Sequence, residues 1–105
     1  MDITFNRTNE GFIGIDVDSN NNYVYANRAR LNAFFGIGTV VGEDNHFFQN
    51  DARYNANFVD IIGGGFDCFD ETTGTGTEGT ANTWEESLGL ENQPQDICIP
   101  LAPDF

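Results

Sequence analysis

Short apolar runs separated by glycine, asparagine and aspartate recur along most of the chain. This pattern is typical of many short β-strands rather than of long helices. A count of about eight strands predicts an all-β fold, a small antiparallel sandwich or barrel with one or two short helices and an extended C-terminal arm. The predicted strands are Ile3–Asn6, Phe12–Val17, Tyr23–Ala26, Gly38–Val41, His46–Gln49, Asn57–Ile62, Phe66–Phe69 and Asp96–Pro100.

The clearest local unit is a predicted β-hairpin over residues 12–26. Apolar and polar residues alternate through its first strand, and Tyr23–Ala26 returns after the turn Ser19–Asn22. Asparagine tolerates a positive φ, so this turn sequence suits a tight reversal of the chain.

Two segments favour short helices. Apolar residues occupy alternate positions in Asn27–Phe35, as they would in a strand. Leu31 and Phe35 also have helical spacing and follow an asparagine that can cap a helix, and we favour the helix. The segment Thr83–Glu86 has the capping-box pattern, and Gly89 follows as a stop signal.

The predicted organisation is one β-rich domain, residues 1–92, followed by an arm, residues 93–105. Within the domain, the polar Gly/Thr stretch of residues 70–83 predicts a mobile loop. Three prolines in the arm disfavour a central strand. Its apolar side chains need a surface to lie on, which predicts partner-binding residues at Ile97, Ile99, Leu101 and Phe105.

The charge of the chain excludes several function classes. Seventeen acidic residues against four arginines and no lysine give a net charge of −13, which repels nucleic acid and anionic membranes. Without lysine there is neither Schiff-base chemistry nor a phosphate-binding Walker lysine. The arginines are expected to pair with the chain's own surplus carboxylates; they are Arg7, Arg28, Arg30 and Arg53.

Location and redox state are predicted from equally simple features. No apolar run is long enough to span a membrane. Residues 1–5 lack the basic and apolar regions of a signal peptide, so the protein is expected to be made in the cytosol without one. Cys68 and Cys98 are predicted as reduced, buried thiols in preference to one disulfide, because Cys98 lies in an apolar run.

No catalytic group stands out. Ser19 and Ser87 lack a nucleophile motif, and His46 has no motif that would join it to a cysteine, so it is interpreted as a strand-edge or core histidine. The carboxylates are numerous, but nothing in the sequence places two of them in one cleft. The chain is therefore predicted not to be an enzyme.

Calcium is the one cofactor with any support in the sequence. Oxygen-bearing side chains alternate at Asp16, Asp18, Asn20 and Asn22, which resembles the first half of an EF-hand loop. Asn21 stands where that loop needs glycine, and Asn27 where it needs the bidentate glutamate. A solvated asparagine-rich turn is therefore preferred, and a weak calcium site is kept as the alternative.

These features favour a non-enzymatic structural subunit or decoration protein of a larger assembly, such as a virus or phage particle or a filament. Its expected partners are protein neighbours, with a homo-oligomer favoured, and its location is then the virion. One alternative is an acidic DNA-mimic inhibitor of a basic host protein, which the charge supports. Another is a secreted calcium- or carbohydrate-binding β-sandwich, which the turn at 16–22 and exposed aromatic residues support.

Overall fold

The computed structural model describes residues 2–4, 6–9, 13–32, 34–55 and 65–100. Its regular structure consists of short strands and two 3₁₀ turns, Thr77–Gly79 and Gln95–Ile97. The strands are β1 (Asp2–Thr4), β2 (Arg7–Asn9), β3 (Ile13–Asp16), β4 (Tyr23–Tyr25), β5 (Arg28–Arg30), β6 (Phe35–Thr39), β7 (His46–Phe48), β8 (Phe66–Asp70), β9 (Thr83–Glu85) and β10 (Asn92–Gln93).

Every pairing between these strands is parallel, and the chain visits three sheets in turn. The first side of the molecule has the strand order β1-β4-β7-β9, and the third side has the order β3-β6-β8-β10. The second side pairs β2 with β5 and continues through bridges from Arg28 to Asp51, Leu88 and Ile99. Each circuit of three sides lies on the previous one, which makes the fold a three-sided parallel β-helix.

The predicted antiparallel sandwich or barrel is wrong, and so is the hairpin. β3 pairs with β6, whereas β4 pairs with β1 and β7, so the two predicted hairpin strands belong to different sheets. The apolar alternation of the strands was interpreted correctly, but it does not distinguish an antiparallel neighbour from the next coil of a solenoid.

The predicted helices are also wrong. The segment Asn27–Phe35 contains β5 and the start of β6, and Thr83–Glu85 is β9; the described residues contain no helix beyond the two 3₁₀ turns. β5 pairs with β2 and β9 pairs with β7, and these contacts with neighbouring coils outweigh weak local helix signals. The strand predicted at Asn57–Ile62 lies outside the described residues, and the one predicted at 96–100 overlaps the second 3₁₀ turn.

The core lies inside the coils and is built from columns of stacked side chains. On the first side, Ile3, Val24, Phe47 and Trp84 occupy one register position in four successive coils. The rings of Phe47 and Trp84 stack with centroids 4.0 Å apart. The second side contributes the fully buried Ala29 and Ala52. Small residues on one side leave room for large rings from another, as close packing requires.

Asparagine ladders hold the corners of the coil. At the corner between the third and first sides, Asn45 Oδ1 accepts hydrogen bonds from Asn22 N (2.8 Å) and Asn22 Nδ2 (2.9 Å). At the next corner, Asn50 Oδ1 accepts both bonds from Asn27 in the same way, 23 residues away. A buried side-chain amide whose donor and acceptor atoms are hydrogen-bonded stabilises its turn, whereas one that lacks these partners would lower the stability of the fold.

The residue before six of the ladder asparagines, and before Ser87, adopts the left-handed conformation. Seven such residues have φ between 50° and 70°, and each directly precedes a corner residue; they are Asn21, Ala26, Leu31, Asp44, Gln49, Tyr54 and Glu86. This conformation is unfavourable for side chains other than glycine, asparagine and aspartate. The ladder that follows each one holds the turn in place.

The Gly/Thr stretch predicted as a mobile loop connects β8 to β9, contains the 3₁₀ turn Thr77–Gly79 and is held by several hydrogen bonds. Gly76 N donates to Thr80 O (2.7 Å), and Thr77 N donates to Asn82 O (2.9 Å). The side chain of Thr77 accepts from Trp84 N at 2.9 Å. The stretch is an insertion folded against the last coil. No helix in the described part of the chain is long and apolar enough to cross a membrane.

The first part of the predicted arm belongs to the solenoid. Gln93 lies in β10, Ile99 N donates to Ser87 O (2.7 Å), and Gly89 N donates to Ile99 O (3.0 Å). Cys98 is joined to Cys68 in a disulfide, so the preference for reduced thiols is wrong. Residues 101–105 lie outside the described residues.

Candidate functional site

The four residues predicted as calcium ligands do not converge as a set. Asp16 ends β3 and is hydrogen-bonded to Asp18, both of them exposed. Asn20 Oδ1 accepts from Glu43 N (2.8 Å), and Asn22 is buried in the corner ladder, where its amide donates to Ser19 and Asn45. The two asparagines thus join neighbouring coils, and calcium binding at this turn stays a prediction.

The two aspartates form an electrostatically coupled pair. Partial burial of the carboxyl group, together with the hydrogen bond and negative charge of Asp18, raises the pKa of Asp16 to about 6. Among the described residues there is no group of three or more His, Cys, Asp or Glu side chains placed to hold a metal ion. Asp16 therefore keeps its proton to a higher pH than an ordinary aspartate does.

The predicted partner-binding residues divide into three cases. Ile97 is 3% exposed and belongs to the core of its own chain, whereas Ile99 is 48% exposed. Leu101 and Phe105 lie outside the described residues. Only Ile99 is thus placed where a partner can reach it, and it lies at the end of the second side.

The outer surface of the first side carries an aromatic ladder. The rings of Tyr25 and Phe48 stack with centroids 4.9 Å apart and planes 18° apart, and His46 lies 4.9 Å from Phe48. His46 Nε2 is 3.1 Å from a carboxylate oxygen of Glu85. At that spacing, nearly parallel rings cover one another's faces, which stabilises the coil. The interpretation of His46 as a strand-edge or core histidine is wrong, because β7 lies between β4 and β9 and the His46 side chain is half-buried on the outer surface.

The outer surface of the second side has a different composition. Ala29, Ala52 and Gly89 are buried there, and the residues on either side of each lie on the outer surface, although Arg53 is itself only 9% exposed. We call the outward set the arginine face; it consists of Arg28, Arg30, Asp51, Arg53, Leu88, Leu90 and Ile99. Only one of these seven residues is acidic, in a chain with 17 acidic residues.

Asp51 lies at the centre of the arginine face between two arginines. Arg53 donates two hydrogen bonds to it, from Nε at 2.8 Å and from Nη2 at 2.7 Å, and Arg30 Nη2 is 3.7 Å away. Partial burial opposes ionisation of Asp51, but the hydrogen bonds and charge of Arg53 and the charge of Arg30 outweigh it and lower its pKa. One carboxylate is therefore shared by two guanidinium groups.

Arg28 contradicts the expectation that each arginine pairs with the chain's own carboxylates. It forms no ion pair within the described part of the chain, and its Nε is buried without a hydrogen-bond partner, as is Nε of Arg30. The backbone register also places Arg28 beside Arg7 of the previous coil. A buried donor without a partner is costly.

Sequence reasoning missed this face because it missed the internal repeat. The segments 22–32, 45–55 and 82–92 share one pattern. Each begins with an asparagine, has an inward apolar residue two positions later, and has further corner residues five and ten positions after the first. Such self-similarity is typical of solenoids. Aligning the copies brings Arg28 and Arg30 onto Asp51 and Arg53, which is the pairing that the structure shows.

Comparison with known proteins gives no match: no family model, no curated protein and no solved structure is similar to the chain. The functional argument therefore rests on the geometry of the arginine face.

Proposed function

We propose that the chain is a non-enzymatic structural module of a larger assembly, held there by protein–protein contacts through its arginine face. The observation that carries the proposal is the composition of that face. Arginine is enriched at protein interfaces, whereas aspartate, glutamate and lysine are depleted. This face combines three arginines with Leu88, Leu90 and Ile99, and has a single acidic residue.

The hydrogen bonds accepted by two buried carboxylates support a structural role. Asp67 accepts hydrogen bonds from the backbone N–H groups of Asn55 (2.7 Å), Leu90 (2.7 Å) and Glu91 (3.2 Å). Asp70 accepts from the indole N–H of Trp84 (2.9 Å) and from Asn82 Nδ2 (3.0 Å). Both carboxylates therefore join neighbouring coils, and their hydrogen bonds stabilise the fold.

The disulfide bears on where such a module would act. Structural disulfides persist in oxidising environments such as the cell exterior, the periplasm and the surfaces of particles, and are rare in the cytosol. The Cys68–Cys98 bond therefore supports a final location in an oxidising environment, including an exposed position on a particle. We include this oxidising location in the proposal, and it means that the protein does not stay in the cytosol after synthesis.

Native mass at micromolar to submillimolar concentration tests the proposal. The wild-type chain is expected to associate, and Ile99→Glu is expected to return it to monomer, because the new charge has no partner in the contact. Tyr23→Glu is the matched control, since Tyr23 is 50% exposed against 48% for Ile99 but lies on the first side. A monomeric wild type, or equal loss of association in both variants, would refute the proposal.

A further inference from the structure

A surface opposite the arginine face has the complementary charge. In a three-sided coil, the corner between the third and first sides is the one that the second side does not reach. Exposed carboxylates mark this corner in successive coils, and we call them the acidic corner: Asp16, Asp18, Glu43, Asp44 and Glu71. The arginine face carries three arginines and one aspartate.

Both surfaces repeat along the same axis with the same spacing. Asn21 N donates to Glu43 O (3.1 Å) and Asp44 N donates to Ala81 O (2.8 Å), so the acidic corner rises by one coil at each step. The arginine face rises in the same steps through the bridge from Arg28 to Asp51. Neighbouring strands are about 4.8 Å apart. Two copies aligned in parallel therefore place the two columns side by side without mismatch.

Resting on the proposed function, we infer that the occupant of the arginine face is the acidic corner of a second copy of this chain, in a parallel side-by-side contact. The carboxylates of that corner pair with the partly exposed guanidinium groups of Arg28 and Arg30. Because two different surfaces meet, the contact is heterologous and each copy keeps one surface free for the next. The product is an open row of copies.

The net charge of −13 does not prevent this contact at physiological salt. The molecule measures 32 × 27 × 23 Å, and charges on its far side lie more than the Debye length of about 8 Å at 0.15 M away. The touching surfaces, which have opposite charge, then dominate. At about 0.01 M salt the Debye length is about 30 Å, so repulsion between whole molecules should weaken association.

Mixing two charge variants of the full, disulfide-bonded chain tests the inference. The face variant is Arg28→Glu with Ile99→Glu, and the corner variant is the uncharged Asp18→Asn with Glu43→Gln, so that the two altered surfaces do not attract each other. Each alone is expected to be monomeric at concentrations where the wild type forms a series of oligomers. Mixed together they are expected to form a 1:1 heterodimer and nothing larger, because one intact face meets one intact corner. Circular dichroism and the melting temperature of each variant verify the fold, and Arg28→Gln replaces Arg28→Glu if the latter unfolds.

The outcomes separate the inference from the proposed function. If the face variant is monomeric but the corner variant still associates like the wild type, the proposed function stands and the inference is overturned. Two variants that each dissociate but do not combine on mixing would also overturn it, since they would indicate a symmetric contact. A monomeric wild type would overturn both.

Discussion

At the scale of single residues, the fold depends on buried asparagines more than on any other polar residue. Four ladder asparagines use both atoms of the side-chain amide and follow a residue in the left-handed conformation; they are Asn27, Asn45, Asn50 and Asn55. The sequence did indicate that its asparagines suit turns. It did not indicate that they are buried, because asparagine is mostly a surface residue and its burial here depends on an identical residue one coil away.

Asn50→Ala tests the ladder. Asn50 Oδ1 accepts two hydrogen bonds from Asn27, and its Nδ2 donates to Val24 O at 2.8 Å. Its loss leaves these buried groups without partners, so the free energy of unfolding should fall by about 3 kcal/mol or more. Urea denaturation measures the loss. Asn20→Ala, which removes one hydrogen bond in an exposed turn, is the control and should cost about 1 kcal/mol or less.

The aspartate pair at 16 and 18 predicts a small dependence of stability on pH. The pKa of Asp16 is about 6 in the folded chain, above its ordinary value of 3.8, so the folded state binds the proton more tightly. The resulting stabilisation is complete below pH 3.8 and disappears as the pH rises through about 6. Asp16→Asn should therefore stabilise the protein relative to wild type more at pH 7 than at pH 4.

Denaturation of both proteins between pH 4 and pH 7 measures this difference, which should be modest because Asp16 is exposed. Asp18→Asn should reduce the same pH dependence by removing the neighbouring charge. A stability difference between Asp16→Asn and wild type that stays constant with pH would contradict the assignment.

At the scale of elements, the positions of most strands could be predicted and their partners could not. Tyr23–Tyr25, His46–Phe48 and Phe66–Asp70 lie within one residue of the predicted runs. Alternation shows that a segment is extended with one face buried, but the strands with which it pairs lie 21 or more positions away. The repeat of asparagines 23 residues apart was the available signal.

The Gly/Thr stretch gives an element-scale prediction. A Cβ at Gly76 would collide with the backbone carbonyl group of Asn82, so this close approach requires glycine. Gly76→Ala should lower the free energy of unfolding by about 1–3 kcal/mol, as overpacking does. Thr75→Ala, at the exposed neighbouring position, should change it by less than about 0.5 kcal/mol. Equal melting of the wild type and Gly76→Ala would indicate a loose loop.

At the scale of the whole molecule, a short solenoid depends on what covers its ends. The Cys68–Cys98 disulfide ties the last described segment to β8 across a sequence separation of 30 residues. Cross-linking a loop of this length restricts the unfolded chain and stabilises the fold by about 3–4 kcal/mol in the chain-entropy model. Cys68→Ala/Cys98→Ala should therefore unfold at markedly lower urea concentration, and reductant should lower the midpoint of the wild type only.

The charge distribution is the other property of the whole molecule that composition could not reveal. A net charge of −13 indicated an acidic protein, and hence basic partners. The coil instead collects Arg28, Arg30 and Arg53 on one side and leaves exposed carboxylates at the opposite corner. The separation of positive and negative charge between these two surfaces follows from the way the chain is coiled, which composition does not reveal.

The most direct test of the central claim maps what touches the arginine face. Ile99 is replaced by photo-crosslinkable p-benzoylphenylalanine, and the purified full chain is irradiated at micromolar concentration in 0.15 M salt. Mass spectrometry is then expected to find adducts between residue 99 of one copy and the segment around Glu71 of another, because Glu71 is the acidic-corner residue nearest to the last coil. The same probe in the chain that carries Asp18→Asn and Glu43→Gln is the control. No intermolecular adduct from position 99 above the level of this control would contradict the account.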